Sequence, residues 1–203
     1  MYLNGLCFIT GRKESCLTLK EIVTIVLSTG VRWIQYREKD KSRRDIYRGA
    51  LMLRELTDKF RASLIVNDYA DIAIAVNADG VHLGQDDLPL KEARKILGKE
   101  KIIGISTHSI EQAIEAEQGG ASYIGFGPIF HTKTKDAGEP KGIEILREVK
   151  RHIKIPVIAI GGISAENLES VIDAGADAVA VSSAIIQGDI AENIIRFLHI
   201  LKK

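Results

Sequence analysis

Short apolar runs alternate with longer amphipathic stretches from one end of the chain to the other. The short runs are LCFIT (6–10), RWIQYR (32–37), SLIVND (63–68), GVHLG (80–84), KIIGIS (101–106), SYIGFGPI (122–129), PVIAIGG (156–162) and AVAVSS (178–183). Their apolar character is continuous rather than alternating, which predicts strands covered on both faces, as in parallel sheets. The stretches between them carry helix starts. Thr18 with Glu21 and Ser109 with Gln112 have capping-box spacing, Ser42 with Asp45 is a looser relative, and Asp189 with Glu192 opens a last helix. Glycine stands between a helix end and the next strand in STGVRWI, NADGVHL, GGASYIG and AGADAVAV, where a left-handed exit is wanted. About eight strands separated by helices predict a compact (β/α)8 TIM barrel, with residues 1–203 as one domain. A doubly wound open sheet is the alternative, because periodicity does not report closure.

Charge and composition narrow the chemistry. The 28 basic and 27 acidic residues nearly cancel, so no global field favours nucleic acid or an anionic membrane, and any anion must be bound by local arrangement. The N-terminal MYLNGLCFIT lacks a basic segment ahead of a long apolar core, and no apolar run approaches a membrane helix. A cytoplasmic protein is expected, with Cys7 and Cys16 as reduced thiols, since they show neither CxxC nor Cys/His metal spacing. No GxSxG elbow is present, so covalent catalysis is not indicated.

In a (β/α)8 barrel, catalytic groups gather at the C-terminal ends of the strands. The unusual residues of this chain recur there, in QYREKD, NDYAD, GQDD, STH, HTKTK, GGIS and SSA. Extended geometry turns Gln35, Arg37 and Lys39 to one face and Tyr36 and Glu38 to the other, so an amide and two cations converge on whatever lies at the mouth. Arg can grip phosphate oxygens bidentately and Lys supplies a point charge. Asp68 and Asp87 end neighbouring strands, where two carboxylates suit Mg2+; Asp71 and Asp86 compete for that role. Asn67 either binds substrate or closes the turn before Asp68. Gly161 and Gly162, with Ser182 and Ser183, sit where backbone amides favour phosphate, or where glycine merely makes a tight turn. His82 reads as a structural residue within a strand.

The order of these motifs resembles the thiamine-phosphate synthase family. The resemblance rests on QYREK, NDYADIAIAVNADGVHLGQDDL, GISTHS, GFGPIFHTKTK, IAIGGI and AVAVSSAI, six segments in order across nearly the whole chain. It implies an enzyme that joins hydroxymethylpyrimidine diphosphate to hydroxyethylthiazole phosphate, giving thiamine phosphate and diphosphate. By the same resemblance, Gln35, Tyr36, Arg37, Glu38, Lys39 and Asn67 would bind the pyrimidine diphosphate, and Asp68 and Asp87 would hold Mg2+. Ser106 would contact the pyrimidine and Lys135 its diphosphate. Thr132, Lys133 and Thr134, with Gly162, Ser182 and Ser183, would surround the thiazole phosphate. Arg37, Lys39, Ser106 and Lys135 would carry the catalysis.

Three positions depart from the family pattern: His131 where proline is common, Gly11 where aspartate is common, and Ser182 where an aliphatic residue is frequent. None removes an implied metal ligand or phosphate cation. The competing readings are a thiazole tautomerase on the same barrel, a noncatalytic binder of thiamine precursors, and a generic phosphate-binding barrel isomerase. A homo-oligomer is compatible with the sequence.

Overall fold

Each of the eight apolar runs forms a parallel strand, and the strands close on themselves in chain order, the first pairing with the last. That closure settles the architecture as the (β/α)8 barrel rather than the open sheet. A computed structural model describes residues 3–11, 16–132 and 138–202. The strands are β1 (Gly5–Ile9), β2 (Trp33–Tyr36), β3 (Ser63–Asn67), β4 (Gly80–Leu83), β5 (Ile102–Thr107), β6 (Tyr123–Phe126), β7 (Val157–Ile160) and β8 (Ala178–Val181). The helices are α1 (Leu19–Ser28), α2 (Arg43–Lys59), α3 (Ala70–Ala75), α4 (Leu90–Leu97), α5 (Ile110–Gln118), α6 (Gly142–His152), α7 (Leu168–Asp173), α8 (Ser183–Ile186) and α9 (Ile190–Leu201).

The four expected helix starts all form. Thr18 makes a reciprocal capping box with Glu21, and Ser42, Ser109 and Asp189 each accept the backbone N–H three residues on. β6, β7 and β8 each stop two or more residues before their apolar runs end. β6 ends at Phe126, ahead of Pro128, which has no N–H to give to a ladder. The Ile129 and Phe130 amides nonetheless still reach the Ile160 and Gly161 carbonyls. β8 ends at Val181 because Ser183 already begins the one-turn α8.

Strand alternation divides the apolar residues into two cores. Inside the barrel lie Cys7, Ile9, Trp33, Ile65, Tyr123, Ile158, Ala178 and Ala180. The opposite positions, such as Phe8, Ile34, Leu64, Val81 and Val179, pack outward against the helices. Following the inward positions toward the C-terminal ends, Trp33 gives way to Gln35, Ile65 to Asn67, and Gly104 to Ser106. The barrel is therefore apolar low down and polar at its mouth.

Two aspartates staple the opposite end. Asp79 accepts the Leu64 amide at 2.8 Å and pairs with Arg54 at 2.8 Å. Asp177 does the same for the Val157 amide at 2.8 Å and pairs with Lys150 at 2.6 Å. Both occupy an Ala-Asp step just before a strand (ADG at 78–80, ADA at 176–178), so one sequence device secures two strand starts.

Candidate active site

The mouth is organised around the exits of β2, β3 and β4. Thr10, directly after β1, fixes the β2 exit: its hydroxyl donates to the Arg37 carbonyl at 3.1 Å and accepts the Arg37 amide at 2.9 Å. That buried threonine holds the backbone of the first cation in place. At the β3 exit, Asp68 adopts a left-handed φ of 67°, a conformation that Asp tolerates better than most residues. Its amide donates to the His82 carbonyl at 2.8 Å, and the Asn67 side-chain amide donates to its carboxylate. At the β4 exit, Asp87 accepts the Gly84 amide at 2.6 Å.

These exits bring opposite charges into one cluster. Loss of hydration and the adjoining Asp87 carboxyl push Asp68 up to about 6, while Lys39 and Arg37 pull it the other way. Two carboxyl groups within hydrogen-bonding reach of each other, flanked by two cations, form a site that gains from a further positive charge. Mg2+ fits such a site, because it takes one or two carboxylates and fills its remaining octahedral positions with water and phosphate oxygens. Among the described residues no group of three or more His, Cys, Asp or Glu side chains could hold a metal, so an all-protein cage of the zinc type does not fit. The competing acids are placed elsewhere. Asp71 lies in the first turn of α3 and pairs with Arg43, and Asp86 is exposed beside the pair.

The other candidates divide. Gln35 is buried inside the barrel just beneath Arg37. Tyr36 faces outward: its ring fills the space left by the missing side chain of Gly49 on α2, and burial raises its hydroxyl to about 12. Glu38 pairs with Lys41 at 2.8 Å. Ser106 sits half-buried at the end of β5, with its carbonyl accepting the Gln85 side-chain amide at 2.6 Å. Its hydroxyl is 2.9 Å from His82 Nε2, and His82 Nδ1 is 2.9 Å from the Tyr123 hydroxyl. Desolvation inside the barrel lowers His82 to about 4, so the ring is neutral at physiological pH.

On the far side of the mouth, Gly161 and Gly162 have φ of 94° and 66°. A side chain at Gly161 would strike Pro128, and one at Gly162 would strike Phe130 and the His131 carbonyl. The two glycines therefore let the segment after β6 lie against the β7 exit, just before Thr132. Ser182 and Ser183 follow β8, and Ser182 Oγ would stand 3.1 Å from a side chain placed at Gly11. Two of the three positions expected to depart from the family pattern thus lie side by side. Lys133, Thr134 and Lys135 lie outside the described residues.

Sequence reading missed Thr10, Gln85 and the contact of His82 with Ser106. His108 Nδ1 lies 2.7 Å from the Gly127 carbonyl and ties the β5 exit to the β6 exit.

Fold and mouth together define a (β/α)8-barrel enzyme with its acidic and basic groups gathered at the C-terminal ends of the strands. Residues 6–185 match the family described as thiamine monophosphate synthase. The chain is 50% identical over 157 residues to the thiamine-phosphate synthase of Clostridium acetobutylicum, covering 77% of this chain and 74% of that one. It is 47% identical over 195 residues to that of Methanosarcina barkeri, covering 94% and 88%. A solved structure of thiamine phosphate pyrophosphorylase from Pyrococcus furiosus superimposes with a TM-score of 0.90 at 38% identity, over 98% of this chain and 95% of that one. The chain belongs to the thiamine monophosphate synthase family, whose members are transferases of thiamine biosynthesis.

Proposed function

We propose that the enzyme forms thiamine phosphate from a pyrimidine diphosphate and a thiazole phosphate, with Mg2+ held by Asp68 and Asp87. The observation that carries this reading is the closeness of the Asp68 and Asp87 carboxyls at adjoining strand ends, with Arg37 and Lys39 near enough to act on Asp68. That arrangement suits a leaving group on which negative charge accumulates. Mg2+, when bound, neutralises part of the charge on the diphosphate oxygens.

The carbon–oxygen bond between the pyrimidine methylene and the diphosphate breaks, and its electron pair leaves with the diphosphate. The electron-rich aminopyrimidine ring stabilises the cation that remains. The thiazole nitrogen then uses its own lone pair to form the new carbon–nitrogen bond. No proton has to be removed from that nitrogen, so the coupling needs no general base.

Arg37, Lys39 and Lys135 stabilise the departing diphosphate. Gln35 and Asn67 orient the pyrimidine substrate together with Ser106, while Tyr36 and Glu38 contribute through their backbone. Thr132, Lys133 and Thr134 surround the thiazole phosphate with Gly162, Ser182 and Ser183. Holding both substrates at once supplies the orientation a bimolecular coupling needs. The reaction belongs in the cytoplasm: no described helix is long and apolar enough to cross a membrane, and Cys7 and Cys16 are free.

Inhibition by the product diphosphate in Mg2+ tests the assignment. Arg37→Ala and Lys135→Ala should each weaken that inhibition while leaving the KM for thiazole phosphate unchanged. Unaltered inhibition in both variants would defeat the proposed diphosphate site.

A further inference from the structure

Inside the barrel, three side chains from three strands form a polar column beneath the mouth. Tyr123 of β6 is almost fully buried, His82 of β4 is buried above it, and Ser106 of β5 emerges at the top. The His82 ring lies 5.4 Å from the Tyr123 ring, and Trp33 meets the Tyr123 ring edge-on at 5.3 Å. Two glycines keep the space open. A side chain at Gly104 would fall inside the Tyr123 ring, and one at Gly125 would stand 3.1 Å from His82 Cε1. Both rings are thus held in place by aromatic contact and backbone, with little room to turn.

Hydrogen-bond polarity follows from that confinement. The Tyr123 hydroxyl has His82 Nδ1 as its partner among the described residues, at 2.9 Å. If Nδ1 carried the imidazole proton, it would donate to the phenol oxygen and leave the buried phenol proton with no described acceptor. Buried donors are rarely left so. The satisfied arrangement has Tyr123 donating to Nδ1. A neutral ring then carries its proton on Nε2 and donates to Ser106 Oγ, 2.9 Å away. With that oxygen already accepting from below, the Ser106 proton is directed into the mouth.

We propose that Tyr123 and His82 are positioning residues that present the Ser106 hydroxyl as a hydrogen-bond donor toward a ring nitrogen of the bound aminopyrimidine. The pyrimidine end of this inference rests on the function proposed above; the direction of the column does not. A donor at this point discriminates by polarity. It rewards a ring atom with a lone pair and rejects an analogue that presents a C–H there.

The first arm of the test is NMR of the histidine ring nitrogens in the isotopically labelled, substrate-free enzyme, with the His82 signals assigned by their loss in His82→Gln. The expected result is a protonated Nε2 and an unprotonated Nδ1; the opposite tautomer overturns the proposal. In the second arm, Tyr123→Phe removes one hydroxyl and keeps the ring. The KM for the pyrimidine diphosphate should rise about 10-fold, the worth of one hydrogen bond, with the KM for thiazole phosphate unchanged. Ser106→Ala should raise the same KM, and the double variant should add little to either single one. Equal effects on both KM values, or none on either, would reduce Tyr123 to packing and overturn the positioning role. Failure of the functional reading is distinguishable. It would appear as absent product formation by the unmodified enzyme, whereas the tautomer measurement uses no substrate.

Discussion

Replacing Asp68 by Asn exchanges a carboxylate for a neutral group of nearly the same shape, which can still accept from the Asn67 side chain. The stability consequence can be worked out from the charge balance at the mouth. Asp68 is held at about 6 in the folded protein against an ordinary value of 3.8. The folded state therefore binds the proton more tightly than the unfolded state. The contribution of Asp68 to stability is fully present below 3.8 and is lost as the pH rises through 6, the reverse of a salt-bridged aspartate. A shift of roughly two pH units corresponds to about 3 kcal/mol for a fully buried group. Asp68 is only half-buried, so solvent screening reduces the cost to about 1–2 kcal/mol. In chelator at neutral pH, Asp68→Asn should be more stable than the parent by that amount, measured by urea unfolding. The gain should shrink as the pH falls below 6 and vanish below 3.8. Added Mg2+ should stabilise the parent and leave the variant unmoved, since each tenfold excess over Kd is worth about 1.4 kcal/mol to a folded state that binds it. A variant that is less stable than the parent in chelator, or a gain independent of pH, would rule out a buried, destabilising Asp68 charge.

Gly104→Ala would drive a methyl group into the Tyr123 ring; thermal unfolding should show a loss of about 1–3 kcal/mol or more, typical of overpacking. Asp79→Ala removes the acceptor of the Leu64 amide and the partner of Arg54 at the end remote from the mouth. It should cost about 1–3 kcal/mol in urea unfolding, with kcat/KM unchanged in the folded fraction. Thr10→Val keeps the side-chain shape but leaves the Arg37 amide and carbonyl without their shared partner. Steady-state kinetics should then show a raised KM for the pyrimidine diphosphate of about 10-fold and an unchanged KM for thiazole phosphate.

The barrel was legible because its strands are covered on both faces, so that short runs such as SLIVN are continuously apolar and recur between amphipathic stretches. Helix starts were legible because capping acts over three residues, as Thr18 and Glu21 do. The exits of β2, β3 and β4 were visible as polar residues following apolar ones, and the fold places their charges together. What escaped were contacts set by register between distant strands. His82 and Tyr123 are 41 positions apart, and Thr10 and Arg37 are 27 apart; nothing local marks either pair. The closing of the sheet likewise depends on β1 meeting β8, an event that no single segment encodes. Strand ends were misjudged where backbone chemistry overrode hydropathy, at Pro128 and at the turn into Ser183.

The coupling reaction at the paired carboxylates underlies the roles assigned to the mouth. Its most direct test is thiamine phosphate formation by the purified enzyme from the pyrimidine diphosphate and the thiazole phosphate, with Mg2+ and again with excess chelator. Product is expected with the metal and should be lost with the chelator. Folded protein that binds thiazole phosphate yet forms no thiamine phosphate in Mg2+ would contradict that expectation, as would formation that the chelator leaves unchanged.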